Sequence, residues 1–138
     1  MRTAQDGQIG QLKQHLEEAR QTARSSRVAE LREQVKEVLS ETGDRTNAAV
    51  YLFGSWATGR FDGASDTDLL VIAPTRQEAE AVQGRLMVFA DDVIAYAAGT
   101  WASRCERGDP FVRRVASERI LLAEVGDGAY GGDRKSVV

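Results

Sequence analysis

Cysteine and histidine are almost absent: the 138-residue chain carries one of each, Cys105 and His15. A lone cysteine cannot close an internal disulfide. With no histidine near it in sequence it offers neither a zinc site nor a paired nucleophile, so Cys105 reads as a structural thiol. His15 stands among charged residues of an expected helix and reads as solvated, which argues against histidine-based catalysis. No apolar run approaches the roughly 18 residues that a membrane span requires. The opening residues, Met1 to Asp6, lack the apolar stretch of a secretion signal, so the expected address is cytoplasmic. An excess of positive charge is missing too. At a net charge of −3 the chain has no extended basic surface for nucleic acid, and Arg104, Arg107, Arg113, Arg114 and Arg119 read mostly as solvated helix faces.

What remains is the make-up of a soluble globular protein, 42% hydrophobic and 28% charged, with enough chain for one hydrophobic core and too little for two ordinary domains. Ile9, Leu12, Leu16, Ala19 and Ala23 recur at alternating three- and four-residue steps, a narrow apolar seam on an otherwise charged helix. After Ser25-Ser26 the phase slips to Val28, Leu31, Val35, Val38 and Leu39, marking a second helix or a continuation with a changed face, ended by Thr42-Gly43-Asp44.

Ala48 to Phe53 is apolar and rich in β-formers, a buried strand broken by Gly54-Ser55. A short helix at Trp56 to Thr58 and a turn-rich loop at Gly59 to Gly63 follow. Asp66 to Ala73 reads as a second strand, stopped by Pro74. Thr75 is the expected N-cap of a helix running to Met87. Asp92 to Tyr96 is a third strand. A helix near Thr100 to Arg107, another opened by Gly108-Asp109-Pro110, and a last strand at Arg119 to Ala123 complete the pattern. The expectation is an α/β (α+β) fold: a small mixed sheet with helices packed on one side and an extra N-terminal helix. Residues 1–25 are read as a helical extension, 26–125 as the domain and 126–138, Gly-rich and polar, as a disordered tail.

Side chains two apart on a strand share a face, so Asp66 and Asp68 are expected neighbours. A pair of like charges at the entry to the apolar Leu69-Leu70-Val71-Ile72 must be solvated, paired or metal-bound. Mg²⁺ takes carboxylate and phosphate oxygens. Gly54 directly follows a strand and Ser55 opens a helix, so backbone N–H groups and a hydroxyl can cradle phosphate oxygens. Either element alone is commonplace, an Asp-rich turn or a Gly-Ser turn. Their joint arrangement is specific: apolar strand, Gly-Ser, ten residues, Asp-x-Asp, apolar strand.

The stretch Tyr51 to Gly59 followed by Ser65 to Val71 resembles the GSx₁₀DxD signature of the minimal nucleotidyltransferases of the DNA polymerase β superfamily, and the similarity runs from about Val28 to Glu124. The resemblance implies the nucleotidyltransferase fold and in-line attack of an acceptor hydroxyl on the α-phosphate of a nucleoside triphosphate, with pyrophosphate leaving. It implies two Mg²⁺ ions, with Mn²⁺ as substitute, held by Asp66 and Asp68 and completed by a third carboxylate that also takes the acceptor's proton. That carboxylate is Asp91 or Asp92, with Asp92 preferred because Val93-Ile94 follows it. Gly54 and Ser55 would hold the β- and γ-phosphates. Many relatives carry arginine where this chain has Thr58, which leaves Arg60 to supply a cation near the triphosphate. Trp56 and Trp101 are the residues able to stack a base, though both read better as core.

Three functions are compatible with these residues. The first resembles the MNT antitoxins, which add AMP from ATP to a tyrosine of a HEPN toxin; small size and the spare helical seam suit a protein acceptor. The second is a nucleotidyltransferase of small molecules, similar to those that modify aminoglycosides, for whose helical acceptor domain the chain has little room. The third is a non-catalytic nucleotide- or partner-binding module, which would not need three carboxylates. The seam itself is expected to meet another chain, a second copy or the toxin-like partner, the alternative being that it folds back on its own domain.

Overall fold

The computed structural model describes residues 4–41, 47–62 and 65–126. The expected helix end at Thr42 to Asp44, the turn at Gly63 and the tail from residue 127 onward lie outside the described residues.

Helix α1 (Ala4–Glu41) is one uninterrupted helix of 38 residues, so the phase slip at Ser25-Ser26 is a change of face and not a break. Two serines cost a helix only a few tenths of a kcal/mol each, and the burial that follows outweighs them. Leu31, Val35 and Leu39 are buried against the sheet, whereas Ile9, Leu12 and Leu16 are 53%, 59% and 57% exposed. Among the described residues nothing covers the seam, and residue 25 lies within the helix.

Strand β1 (Ala48–Phe53) leads through Gly54 into the short helix α2 (Ser55–Thr58), then β2 (Asp68–Ala73), α3 (Arg76–Leu86), β3 (Asp92–Ala97), α4 (Ala98–Glu106), α5 (Pro110–Glu118) and β4 (Ile120–Val125). Local signals set the boundaries. Thr75 caps α3, its side chain accepting from the Glu78 amide at 3.2 Å. Asp109 caps α5 by accepting from the Phe111 and Val112 amides at 3.0 and 3.2 Å, with Pro110 in the first turn where its missing N–H costs nothing.

The strands form one mixed sheet in the order β3-β2-β1-β4, with β1 antiparallel to both neighbours and β2 parallel to β3. The α/β fold expected from the pattern is the one observed, but helices on one side only is not. Val28, Leu31, Val35 and Leu39 of α1 and Ala79, Val82 and Leu86 of α3 cover one face. Trp101 of α4 and Val112 and Val115 of α5 cover the other, against Tyr51, Phe53, Leu70 and Ile72. The physical reason is legible in β1, where all six residues are buried: a strand without polar alternation needs cover on both faces. Among the described residues no helix is long and apolar enough to cross a membrane.

Candidate active site

Parallel strands must be joined by a crossover, and α3 supplies it between β2 and β3. Both strands consequently start at the same end of the sheet, with Asp68 opposite Asp92 in register. Because β1 is antiparallel to β2, its exit lies at that end as well, with Phe53 opposite Asp68. The turn leaving β1 and the acidic entries of β2 and β3 thus meet at one edge.

Gly54 has φ 80° and ψ −155°, a conformation that side-chain-bearing residues rarely adopt. A Cβ at this position would overlap the Asp68 carboxylate oxygen Oδ2. Glycine is what lets the turn backbone close on that carboxylate. The Gly54 carbonyl accepts from the Ala57 and Thr58 amides, both at 3.1 Å, leaving the amides of Ser55 and Trp56 at the helix head without an intrahelical acceptor.

Strand β2 begins at Asp68 and not at Asp66 as expected. The preceding backbone is held by loop bonds: the Thr67 amide donates to the Asp91 carboxylate at 2.7 Å, and the Thr67 carbonyl accepts from the Asp91 and Asp92 amides at 3.0 and 3.2 Å. These bonds bear on the choice between Asp91 and Asp92. Asp91 spends its carboxylate on Thr67, whereas Asp92 is exposed on strand β3 beside Asp68. By strand alternation Asp68 and Asp92 lie on the face of Leu70, Ile72 and Ile94, the one that α4 and α5 cover further along.

Burial, then the charges of Asp92, Asp66 and Asp91, push the Asp68 carboxyl up from its ordinary 3.8 to about 6. No ion pair offsets Asp66, Asp68 or Asp92 among the described residues. An acidic group of hard oxygen donors short of positive charge fits a divalent cation such as Mg²⁺. Among the described residues no three carboxylate, imidazole or thiolate side chains form a ready-made metal cage; like charges without a counter-ion have nothing to draw them together.

Arg60 is exposed in the loop beyond Gly59 and forms no ion pair with the carboxylates among the described residues. The arginines that do reach this region are ones the sequence reading passed over. Arg20, Arg24 and Arg27 of α1 donate to the backbone of α2, to the loop after it and to Thr67. Their spacing, which places three cations on one stripe of a helix, was the available signal. Trp101 is core, packed near Tyr96 with ring centroids 5.4 Å apart, and Trp56 stacks on Phe61 at 4.1 Å, so each ring already has a partner.

A mixed sheet covered by helices, with a glycine turn and acidic strand entries at one edge, defines the class by architecture as an α/β protein with an acidic edge. The family model described as "Nucleotidyltransferase domain" matches residues 31–121, more than half of the chain. The chain belongs to that family and is a nucleotidyltransferase. Among solved structures, it is similar to a toxin-antitoxin crystallised with AMP-PNP, at 17% identity and a TM-score of 0.46 over 77% of this chain and 85% of that one. A suspected nucleotidyltransferase from Sulfolobus solfataricus is similar at 20% identity and 0.45, over 75% and 86%. No curated protein matches the chain.

Proposed function

We propose that this nucleotidyltransferase moves AMP from ATP to a hydroxyl carried by a protein, a tyrosine of a HEPN-type partner, and so acts as an antitoxin, with Mg²⁺ or Mn²⁺ as cofactor. The observation that carries the reading is the meeting of the Gly54 turn with Asp68, itself opposite Asp92. A protein acceptor is favoured because the carboxylates are accessible: Asp66 and Asp92 are both exposed, leaving room for a bulky substrate.

In this reading the Ser55 and Trp56 amides and the Ser55 hydroxyl grip the β- and γ-phosphates, and Arg60 lends them charge. Asp66, Asp68 and Asp92 hold the divalent ions. Bound there, the metal supplies Lewis-acid stabilisation of the phosphoryl oxygens and lowers the pKa of the attacking hydroxyl. Asp92 accepts the proton as the acceptor oxygen bonds to the α-phosphorus, the bond to the bridging oxygen breaks and pyrophosphate departs. No covalent enzyme intermediate is required.

The outward seam of Ile9, Leu12 and Leu16 is an association surface in the same scheme. Its three-four spacing suits a second copy of α1, as in a short coiled coil, so the protein is expected to form a homo-oligomer.

Calorimetry tests the core of the proposal. ATP should bind weakly in EDTA and more tightly with Mg²⁺ or Mn²⁺; equal affinity in the two conditions would remove the metal-site reading. Incubation with α-labelled ATP and a HEPN-type partner should transfer label to a tyrosine, and label on small hydroxyl compounds alone would favour the small-molecule alternative.

A further inference from the structure

The arginine stripe of α1 lies on the opposite face of the sheet from Asp68 and Asp92. Leu31 and Val35, further along the helix, pack with Leu52, Leu69 and Val71, whose side chains alternate away from Asp68. From that rear side three arginines reach both halves of the site. Arg24 Nε donates to the Trp56 carbonyl at 3.0 Å, and Arg24 Nη2 donates to the Ala57 carbonyl. Arg20 Nη2 donates to the carbonyls of Gly59 at 3.0 Å and Phe61 at 2.6 Å, its guanidinium 4.7 Å from the Phe61 ring centre. Arg27 Nη2 donates to Thr67 Oγ1 at 2.8 Å, and Thr67 is the residue whose backbone holds Asp91 and Asp92.

The chemistry of these contacts is specific. A helix as short as α2 leaves its last carbonyls without intrahelical donors, and a guanidinium fork satisfies two at once while its charge opposes the negative end of the helix. One rigid helix thereby fixes the back of the phosphate turn and the back of the carboxylate segment in a single frame.

We infer that Arg24 and Arg27 are positioning residues for nucleotidyl transfer: Arg24 sets the Ser55–Trp56 end of the turn toward the triphosphate, and Arg27, through Thr67, sets the carboxylates toward the metal. The inference rests on the functional reading above. It also assigns a function to two half-buried arginines whose guanidinium groups are directed at the turn and at Thr67.

The two arginines act on different ligands, so their loss should separate two affinities. In the full chain, Arg24→Ala should weaken ATP binding about tenfold by calorimetry, in EDTA and in Mn²⁺ alike. Arg27→Ala should leave ATP binding in EDTA within about twofold of the parent and weaken Mn²⁺ binding to the ATP complex about tenfold. Arg24→Lys and Arg27→Lys, which keep the charge and a single donor, should each recover part of the loss. Equal loss of both affinities in step with a lowered melting temperature, no loss at all, or lysine variants no better than alanine would overturn the inference. Asp68→Asn separates the two readings. If it retains the Mn²⁺ effect on ATP binding, the site itself is misassigned and the positioning role falls with it; if it loses that effect while the arginine variants show no split, only the positioning role fails.

Discussion

At the residue scale, Asp68 concentrates the site's electrostatics in one carboxyl. In the unfolded chain it ionises near 3.8, but in the fold burial and its acidic neighbours delay ionisation to about 6. The folded protein holds the extra proton, so metal-free stability should fall as pH rises from about 4 to about 6 and remain lower above. Asp68→Asn abolishes this dependence. In EDTA the variant should be more stable than the parent at pH 7 by on the order of 1 kcal/mol, after allowance for solvent screening, and no more stable below about pH 4. Thermal melts at the two pH values check both sign and window. Gly54 is constrained by geometry instead. Gly54→Ala must strain a left-handed backbone and displace the Asp68 carboxylate, costing about 1–3 kcal/mol and weakening ATP binding in Mn²⁺. Denaturant titration beside calorimetry would detect each effect, and parent-like values for both would contradict the close approach of turn and carboxylate.

At the scale of elements, α1 is one helix with two environments, its second half buried on the sheet and the seam of its first half exposed. Its second half is stabilised by burial, where Leu31→Ala should cost about 2–5 kcal/mol. Among the described residues the apolar seam of its first half has no such burial, and an isolated helix of this length is marginal in water. Association would supply what is missing. Leu12→Glu combined with Leu16→Glu should therefore reduce the mass measured by light scattering to that of a monomer, with metal-dependent ATP binding and melting behaviour of the monomeric domain retained. An unchanged mass would show that the exposed seam is not where copies of this chain meet. The first half was legible as a seam from its spacing, but its exposure was not: periodicity marks a stripe without saying what lies opposite.

At the scale of the whole molecule, the sheet separates two apolar clusters, one beneath α1 and α3 and one beneath α4 and α5. Leu31 and Val112 share no cluster, so Leu31→Ala and Val112→Ala should add in a double variant to within about 0.5 kcal/mol. Equilibrium denaturation of the single and double variants decides this, and a larger coupling would mean that the sheet transmits packing between its faces. What the amino-acid order by itself determined is local: strands where apolar runs meet a glycine or proline, caps at Thr75 and Asp109, and the Gly54-Ser55 and Asp66-Thr67-Asp68 motifs at their characteristic spacing. These depend on neighbours within a few residues, where chain geometry leaves few choices. The tertiary structure alone decided the rest. That α1 and α3 cover one face and α4 and α5 the other follows from which elements pack together, and the parting of Asp91 from Asp92 depends on Thr67, whose amide takes the Asp91 carboxylate while Asp92 lies in register with Asp68. The arginine stripe acquires its place only when α1 lies behind the turn and Arg27 meets Thr67 across 40 residues of chain. Spacing marks the three arginines as a stripe, but contacts between residues so distant in sequence are set by the packing of whole elements.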